Sequence, residues 1–216
     1  MRKDIVNSIL GILVITLLCG IVYPLFIEGV SQLAFPGNAN GQQVYVGGKL
    51  IGSKIIGQDF ALQVYKHGKP ETSDGEPVTA PDPRYFQTRP SGTVPADNDA
   101  GTSFANYGPN STITEKAIAG NIAAYIQLNG RYYPGGLTAA KVPVDAADTS
   151  ASGVDPDISP ANADIQAYRI AAIRRLPLAT VHRLISQYTS GRGLGFSGEP
   201  AVDVLELNLA LDRLSS

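Results

Sequence analysis

What this chain lacks narrows its chemistry before any motif is read. It has one cysteine, Cys19, which lies inside an apolar run near the N-terminus. The rest of the chain therefore has neither a disulfide nor a thiol nucleophile, and a domain of its size has core enough to do without such staples. Histidines number only two, His67 and His182, and they do not cluster as metal ligands do. No serine sits in G-x-S-x-G, and Ser91, Ser103 and Ser111 have no motif base beside them, so a hydrolase triad is not indicated. The phosphate-cradling Walker pattern is missing, because Gly48-Lys49 has no spaced upstream glycine. Excess positive charge is missing too. Seventeen Lys and Arg face nineteen Asp and Glu, and setting aside Arg2, Lys3 and Asp4 leaves fifteen against eighteen. A nucleic-acid partner would want the reverse. Charged residues are only 17% of the chain, while glycine and proline supply 23 and 15 residues, so turns and loops are expected to abound.

What is present is an uncharged run from Ile5 to Ile27, closed by Asp4 and Glu28. At helical rise it spans about 35 Å, enough to cross a hydrocarbon core of about 30 Å. Arg2, Lys3 and the amino terminus precede it, and the next lysine is Lys49. The positive-inside rule then places residues 1–4 in the cytoplasm, 5–27 in the membrane and 28–216 outside. A cleaved signal peptide is the rival, but its apolar region should be shorter and end in small residues, whereas Ser31-Gln32-Leu33-Ala34 carries a bulky Gln. A lipoprotein signal needs a small residue before its cysteine, and Leu18 is there instead. A retained single-span anchor is the expectation. Ser8, Gly11, Thr16, Cys19 and Gly20 are small enough to admit a second helix, although no G-x-x-x-G is formed. Tyr23 suits the interface, and Pro24 is expected to kink or end the helix.

Beyond the anchor, Gln43–Val46 and Lys49–Ile51 read as a hairpin around Gly47-Gly48. Gly52 and Gly57 bracket a second apolar piece, 53–56. Residues 61–83, punctuated by Pro70, Pro77, Pro81 and Pro83, read as a long surface loop without period. A helix is predicted from Thr114, as its cap, to about Leu128, with Ile118, Ile122, Tyr125 and Ile126 on one stripe. Val142–Asp145 reads as extended and Asp148–Gly153 as a loop. Ser159-Pro160 opens another helix, with Asp164 in its first turn and Arg174-Arg175 in its last. After Pro177 a further helix buries Val181, Leu184, Ile185 and Tyr188 and runs to Gly191. Val202-Asp203-Val204 begins as a strand. Residues 205–211 alternate as a strand does, yet Asp203 and Glu206 have capping-box spacing, which favours a strand running into a final helix. The fold class is α+β: a domain of mixed short strands and about three helices, joined to one N-terminal transmembrane helix.

Three stretches look like chemistry. Gly193-Leu194-Gly195-Phe196-Ser197-Gly198 spells G-x-G-x-x-G, but it follows a helix and runs into Glu199-Pro200, so it reads as a turn and not a dinucleotide fingerprint. Asp155-Pro156-Asp157 starts like a calcium loop, yet Pro160 stands where glycine is needed and Gln166 where glutamate is needed. A turn that launches a helix explains it better, with an ion-attracting role for the two carboxylates left open. Arg89, beside Pro90-Ser91, is a charged fork at a loop corner that suits either an internal carboxylate or carbonyl, or a partner. Candidate partner-interface residues are thus Ser8, Gly11, Thr16, Gly20, Arg89, Ser91, Asp155 and Asp157.

Several blocks in order resemble a known family. They are Gly52-Ser53-x-x-Ile56-Gly57-Gln58-x-Phe60; Tyr85-Phe86-x-x-Arg89-Pro90-Ser91; residues 150–161 (SASGVDPDISPA) with Gln166 and Arg169; Gly191-Arg192-x-Leu194-Gly195-Phe196-x-Gly198-Glu199-Pro200; and Val202-x-Val204-Leu205-x-Leu207-Asn208-Leu209-Ala210-Leu211-Asp212. Together they resemble the C subunit of the bacterial potassium-transporting P-type ATPase, the Kdp system, over nearly the whole chain. Two departures stand out. Residues 61–82 look like an insertion, and residues 102–111 replace the family's Ser-Gly-rich loop, keeping part of its character through Asn106, Gly108, Pro109 and Asn110.

The resemblance implies a non-catalytic subunit in the bacterial inner membrane, with no cofactor of its own. ATP, magnesium and potassium would be handled by partners: a channel-like subunit, a P-type ATPase subunit and a small single-span subunit. It further implies a catalytic chaperone that raises the ATP affinity of the P-type subunit. Because only residues 1–4 face cytosolic ATP in this topology, that effect is expected to be allosteric. The alternative from another class is a membrane-anchored periplasmic enzyme or solute-binding domain acting alone.

Overall fold

The computed structural model describes residues 2–73, 75–90, 107–108 and 110–214. They fall into two compact units, Met1–Ile51 and Gly52–Ser216.

The first unit is dominated by one apolar helix, Arg2–Ala34, long and apolar enough to cross a membrane. Its side chains are exposed all round from Arg2 to Val30, the pattern of a helix whose solvent is lipid. It consists of α1 (Arg2–Leu17), a π-helical turn (Leu18–Val22) and α2 (Tyr23–Ala34). Pro24 does not end the helix as the sequence suggested. The π-turn precedes it, and Pro24 falls in the first turn of α2, where a missing N–H is tolerated. A short α3 (Pro36–Ala39) folds back, with the Gln32 and Asn40 amides exchanging hydrogen bonds of 3.3 and 3.0 Å. Strands β1 (Gln43–Val46) and β2 (Lys49–Ser53) then form the expected hairpin, with Gly47 and Gly48 at φ of 57° and 82°. Two successive left-handed residues match the twist of the flanking strands.

In the second unit, the stretch 61–81 is not a loop but three small antiparallel ribbons. Strand β3 (Ala61–Gln63) pairs with β8 (Thr79–Pro81), β4 (Tyr65–Lys66) with β5 (Lys69–Pro70), and β6 (Thr72–Ser73) with β7 (Glu76–Pro77). Where the ribbons meet, three backbone bonds close a ring: Val64 N to Val78 O (2.8 Å), Val78 N to Glu71 O (2.9 Å) and Glu71 N to Val64 O (2.8 Å). The Gln63 amide donates to the same three carbonyls at 3.0 to 3.1 Å. The sequence carries a matching seven-residue period, 64–70 (VYKHGKP) and 71–77 (ETSDGEP), in which Gly and Pro recur.

The rest of this unit is a three-stranded antiparallel sheet in the order β10 (Thr189–Ser190), β11 (Ala201–Asp203), β9 (Asp157–Ile158), covered by helices. Helix α4 (Thr112–Asn129) is capped three residues earlier than expected. Ser111, in an extended conformation, is its cap, accepting from Ile113 N at 3.3 Å, and Thr114 lies inside the first turn. Of Val142–Asp145, expected to be extended, Val142 and Pro143 are, but Val144 and Asp145 begin a one-turn helix, α5 (Val144–Ala147). Helix α6 (Pro160–Arg174) is capped by the Ser159 hydroxyl, as read from Ser-Pro, and ends on Arg175 at φ 57°. Its first turn holds no acidic residue, so Asp164 lies beyond it. Helix α7 (Leu178–Gln187) stops short of Gly191 because Thr189-Ser190 leaves to pair with β11. Residues 205–211 are helical, within α8 (Val204–Leu214), and Asp203 accepts from Glu206 N at 2.7 Å, as the capping spacing favoured. The core gathers Phe86, Ile158, Ala163, Ala167, Ile170, Val181, Leu184, Ile185, Val202, Val204, Leu207 and Leu211.

Candidate functional site

The segment 82–89 crosses this core without a strand for a neighbour. A backbone in that position must find hydrogen bonds or lose about 1–3 kcal/mol for each buried group. Helix side chains supply them. Asn208 of α8 accepts from Phe86 N and donates to Phe86 O, both at 2.9 Å. Gln166 of α6 does the same for Gln87, at 2.8 and 3.0 Å. One turn on, Arg169 donates to the carbonyls of Pro83 and Tyr85, to Asn129 Oδ1 and to Gln166 Oε1.

Arg169 is fully buried, and among the described residues it hydrogen-bonds no carboxylate. Burial pulls its guanidinium down to about 10, so it stays charged at neutral pH, solvated by amide and peptide oxygens. At the segment's start, burial pushes the Asp82 carboxyl up, but the guanidinium and amide of Arg84 outweigh this and hold it below the usual carboxylate range.

A second knot ties α4, α5 and α6. Asp145 of α5 accepts from Ser159 N (2.8 Å), the Ser159 hydroxyl (2.8 Å) and Asn162 Nδ2 (2.9 Å). Asn162 Oδ1 receives the Tyr125 hydroxyl at 2.8 Å and Gln166 Nε2 at 3.0 Å. Burial raises the Tyr125 phenol well above its ordinary value, so it stays a donor.

The sequence-derived residues fall into two groups. Arg89 donates to Asp155 Oδ2 and to Thr149 O, each at 3.1 Å, and Asp155 Oδ1 accepts from Asp157 N at 3.0 Å. Arg89, Asp155 and Asp157 are therefore brought together, joining the block that contains Arg89 to residues 150–161. Asp157 stands directly across the sheet from Asp203. Burial raises the carboxyls of both, that of Asp203 to about 6, and Asp155 adds to the effect at Asp157. Lys54 closes the edge on Glu206 at 2.5 Å. Ser91 lies outside the described residues, as does most of the 102–111 stretch.

Ser8, Gly11, Thr16 and Gly20 are all exposed on the apolar helix, where the Ser8 hydroxyl donates to Asp4 O at 2.8 Å. At about 100° per residue, Ser8 and Gly11 form one patch, and Thr16 and Gly20 another about 130° round. They do not make a single stripe. The 193–198 stretch is a tight turn, Gly193 and Ser197 exchanging backbone bonds of 2.8 Å, which excludes the dinucleotide reading.

Gln166, Arg169 and Asn208 lie in the recognised blocks, but nothing in the sequence reading gave them a task; Asp145, Asn162 and Asn129 passed unnoticed. Their signal was faint: polar residues on helix faces otherwise filled by Ala163, Ile170, Leu207 and Leu211. Chemically, this arrangement fixes backbone in place and positions no reacting group. Among the described residues, no three His, Cys, Asp or Glu side chains group as for a metal ion.

Residues 5–213 match a family model described as the c chain of the K+-transporting ATPase. A protein of Methylococcus capsulatus, named potassium-transporting ATPase KdpC subunit, is 42% identical over 96% of each chain. Proteins with the same name from Bradyrhizobium diazoefficiens and Mycobacterium tuberculosis are 39% and 40% identical over 99% or more of each chain.

Proposed function

The chain belongs to the KdpC family, the C chain of potassium-transporting ATPases, and from that premise we propose that it stabilises assembly of the pump and raises the ATP affinity of the ATPase subunit. The observation that carries the reading is the full-length match to proteins named as this subunit, in a chain with one apolar helix joined to a folded domain. The partners in this reading are a channel-like subunit, a P-type ATPase subunit and a small single-span subunit in the bacterial inner membrane. Those partners handle ATP, magnesium and potassium. Charge asymmetry around the anchor supports an N-terminus in the cytoplasm and a domain outside.

The effect on ATP is then a coupling between sites on opposite faces of the membrane, a preference of this subunit for one conformational state of its partners. The hydrogen-bonded clamp on residues 82–89 supports this reading, since it holds the domain in one arrangement that two states of a partner can fit differently. Deletion of the chain is expected to abolish growth at micromolar potassium and to raise the KM for ATP of the remaining complex. Normal growth, with normal potassium-stimulated ATPase activity, overturns the proposal.

A further inference from the structure

The anchor helix carries a backbone defect with a definite chemistry. In an α-helix, the carbonyl of Cys19 would accept from Tyr23 N–H, four residues on. Here Tyr23 N–H is given to Leu18 O instead, across the π-turn Leu18–Val22. The donor five residues on, which a π-turn would use, belongs to residue 24, and residue 24 is Pro, with no N–H. The Cys19 carbonyl therefore has neither its α nor its π donor. Gly20 has also lost its α donor, which would have been residue 24.

The peptide that carries this carbonyl joins Cys19 to Gly20, so no Cβ stands on its C-terminal side. The Cβ position of Gly20 has only the Thr16 methyl near it, at 4.0 Å. Thus the widened turn and the proline free the carbonyl, while the glycine leaves the turn just before it narrow. A carbonyl without a donor is expensive in a bilayer, where membrane helices tolerate proline because a neighbouring helix, a hydroxyl or a water serves the freed group. Neither Thr16 nor any other side chain of this helix is bonded there among the described residues.

We propose that the Cys19 carbonyl, bared by the π-turn and Pro24 beside the small residues Thr16 and Gly20, is the docking point for a hydrogen-bond donor side chain (hydroxyl, amide or cationic) on a transmembrane helix of a partner subunit. This rests on the reading of the chain as a subunit of a membrane pump and names where and by what chemistry the anchor is held. Thr16 and Gly20, one turn apart, form the small-residue floor that lets the partner helix approach.

The test uses the complete complex in mild detergent, reading the share of this chain that stays with the large subunits through size exclusion as detergent is raised. Pro24→Ala returns an N–H to the helix and leaves the small floor intact. It is expected to lower retention by about threefold to tenfold, the range of one interhelical hydrogen bond. Gly20→Leu, which fills the small-residue floor without altering the proline, is expected to do the same, and Val14→Ala, on the opposite face of the helix, to do nothing. If Pro24→Ala is retained as well as the parent, water or lipid serves the carbonyl and the proposal is overturned, while the subunit assignment stands. If the parent chain itself does not travel with large membrane subunits, the assignment fails first.

Discussion

Asn208 and Phe86, separated by 122 residues in sequence, exchange two hydrogen bonds of 2.9 Å, so that a helix side chain completes both backbone bonds of an extended residue. Asparagine fits this task because its planar amide presents an acceptor and a donor side by side, as a neighbouring strand would. Asn208→Leu keeps the branched outline of the side chain but strands Phe86 N–H and C=O in the core. A loss of about 1–3 kcal/mol for each group is expected, read as a lower midpoint in denaturant unfolding of the full-length chain. An unchanged midpoint would show that Phe86 finds other partners.

Asp203 gives a pH dependence whose sign follows from burial. Its carboxyl titrates at about 6 in the folded chain and near its ordinary value of about 3.9 when unfolded. It faces Asp157 across the sheet, Glu206 on α8 and Lys54. The folded state therefore binds the proton more tightly. The stabilisation from protonation is complete below about pH 4 and is lost as pH rises through 6. Asp203→Asn keeps an acceptor for Glu206 N and carries no charge. Its stability is expected to exceed that of the parent by about 1–3 kcal/mol at pH 7.5 and to converge with it near pH 4, measured by urea titration across that range.

Gly57 is fixed by its neighbours and not by its dihedrals. It donates to Val154 O at 2.7 Å, and a Cβ there would lie 2.5 Å from Asp155 O. Gly57→Ala must push its own backbone away from residues 154–155, the stretch to which Arg89 is also tied through Asp155. A cost of about 1–3 kcal/mol is expected, the usual price of overpacking, seen as a lower thermal midpoint by circular dichroism.

Gln63 holds the three ribbons by its amide. Gln63→Leu removes the three side-chain bonds at the centre of the ring but leaves the backbone bonds of Val64, Glu71 and Val78 in place. Hydrogen exchange at those three amides is expected to quicken by about tenfold or more, the equivalent of about 1.4 kcal/mol, with exchange in α6 and α8 unchanged. Equal exchange in parent and variant would show that the backbone ring suffices.

What the sequence disclosed and what it hid divide along a physical line. Signals written within four residues were legible, namely Ser159-Pro160 at the head of α6, the Asp203–Glu206 cap of α8 and the Gly47-Gly48 hairpin, and so was the long unbroken apolar run of the anchor. The ribbons of 61–81 were not, because strands of two or three residues are too short to show a period of two. Only the return of Gly and Pro every seven residues hinted at them. The clamp was hidden for another reason. Gln166 and Asn208 act on residues 79 and 122 positions away, and a single sequence does not say which distant backbone a buried amide will meet. The π-turn was hidden as well, since Pro24 announces a disturbance but not whether the helix ends or absorbs it.

The neck of the ribbon cluster has a consequence for how this protein tolerates change. Asp82 N donates to Phe60 O at 2.8 Å, and the Gln87 side chain spans both Phe60 O and Asp82 O at 3.1 and 2.9 Å. The chain leaves at residue 60 and returns at 82 through the same doorway, held shut by a residue that belongs to the far side. Everything between is a cassette. Its length can drift, or the whole of it can be exchanged for a tight turn, and residues 82–89 will still be threaded through their ring of amides in the same register, because among the described residues the bonds that set that register come from Phe60, Gln166, Arg169 and Asn208, outside the cassette.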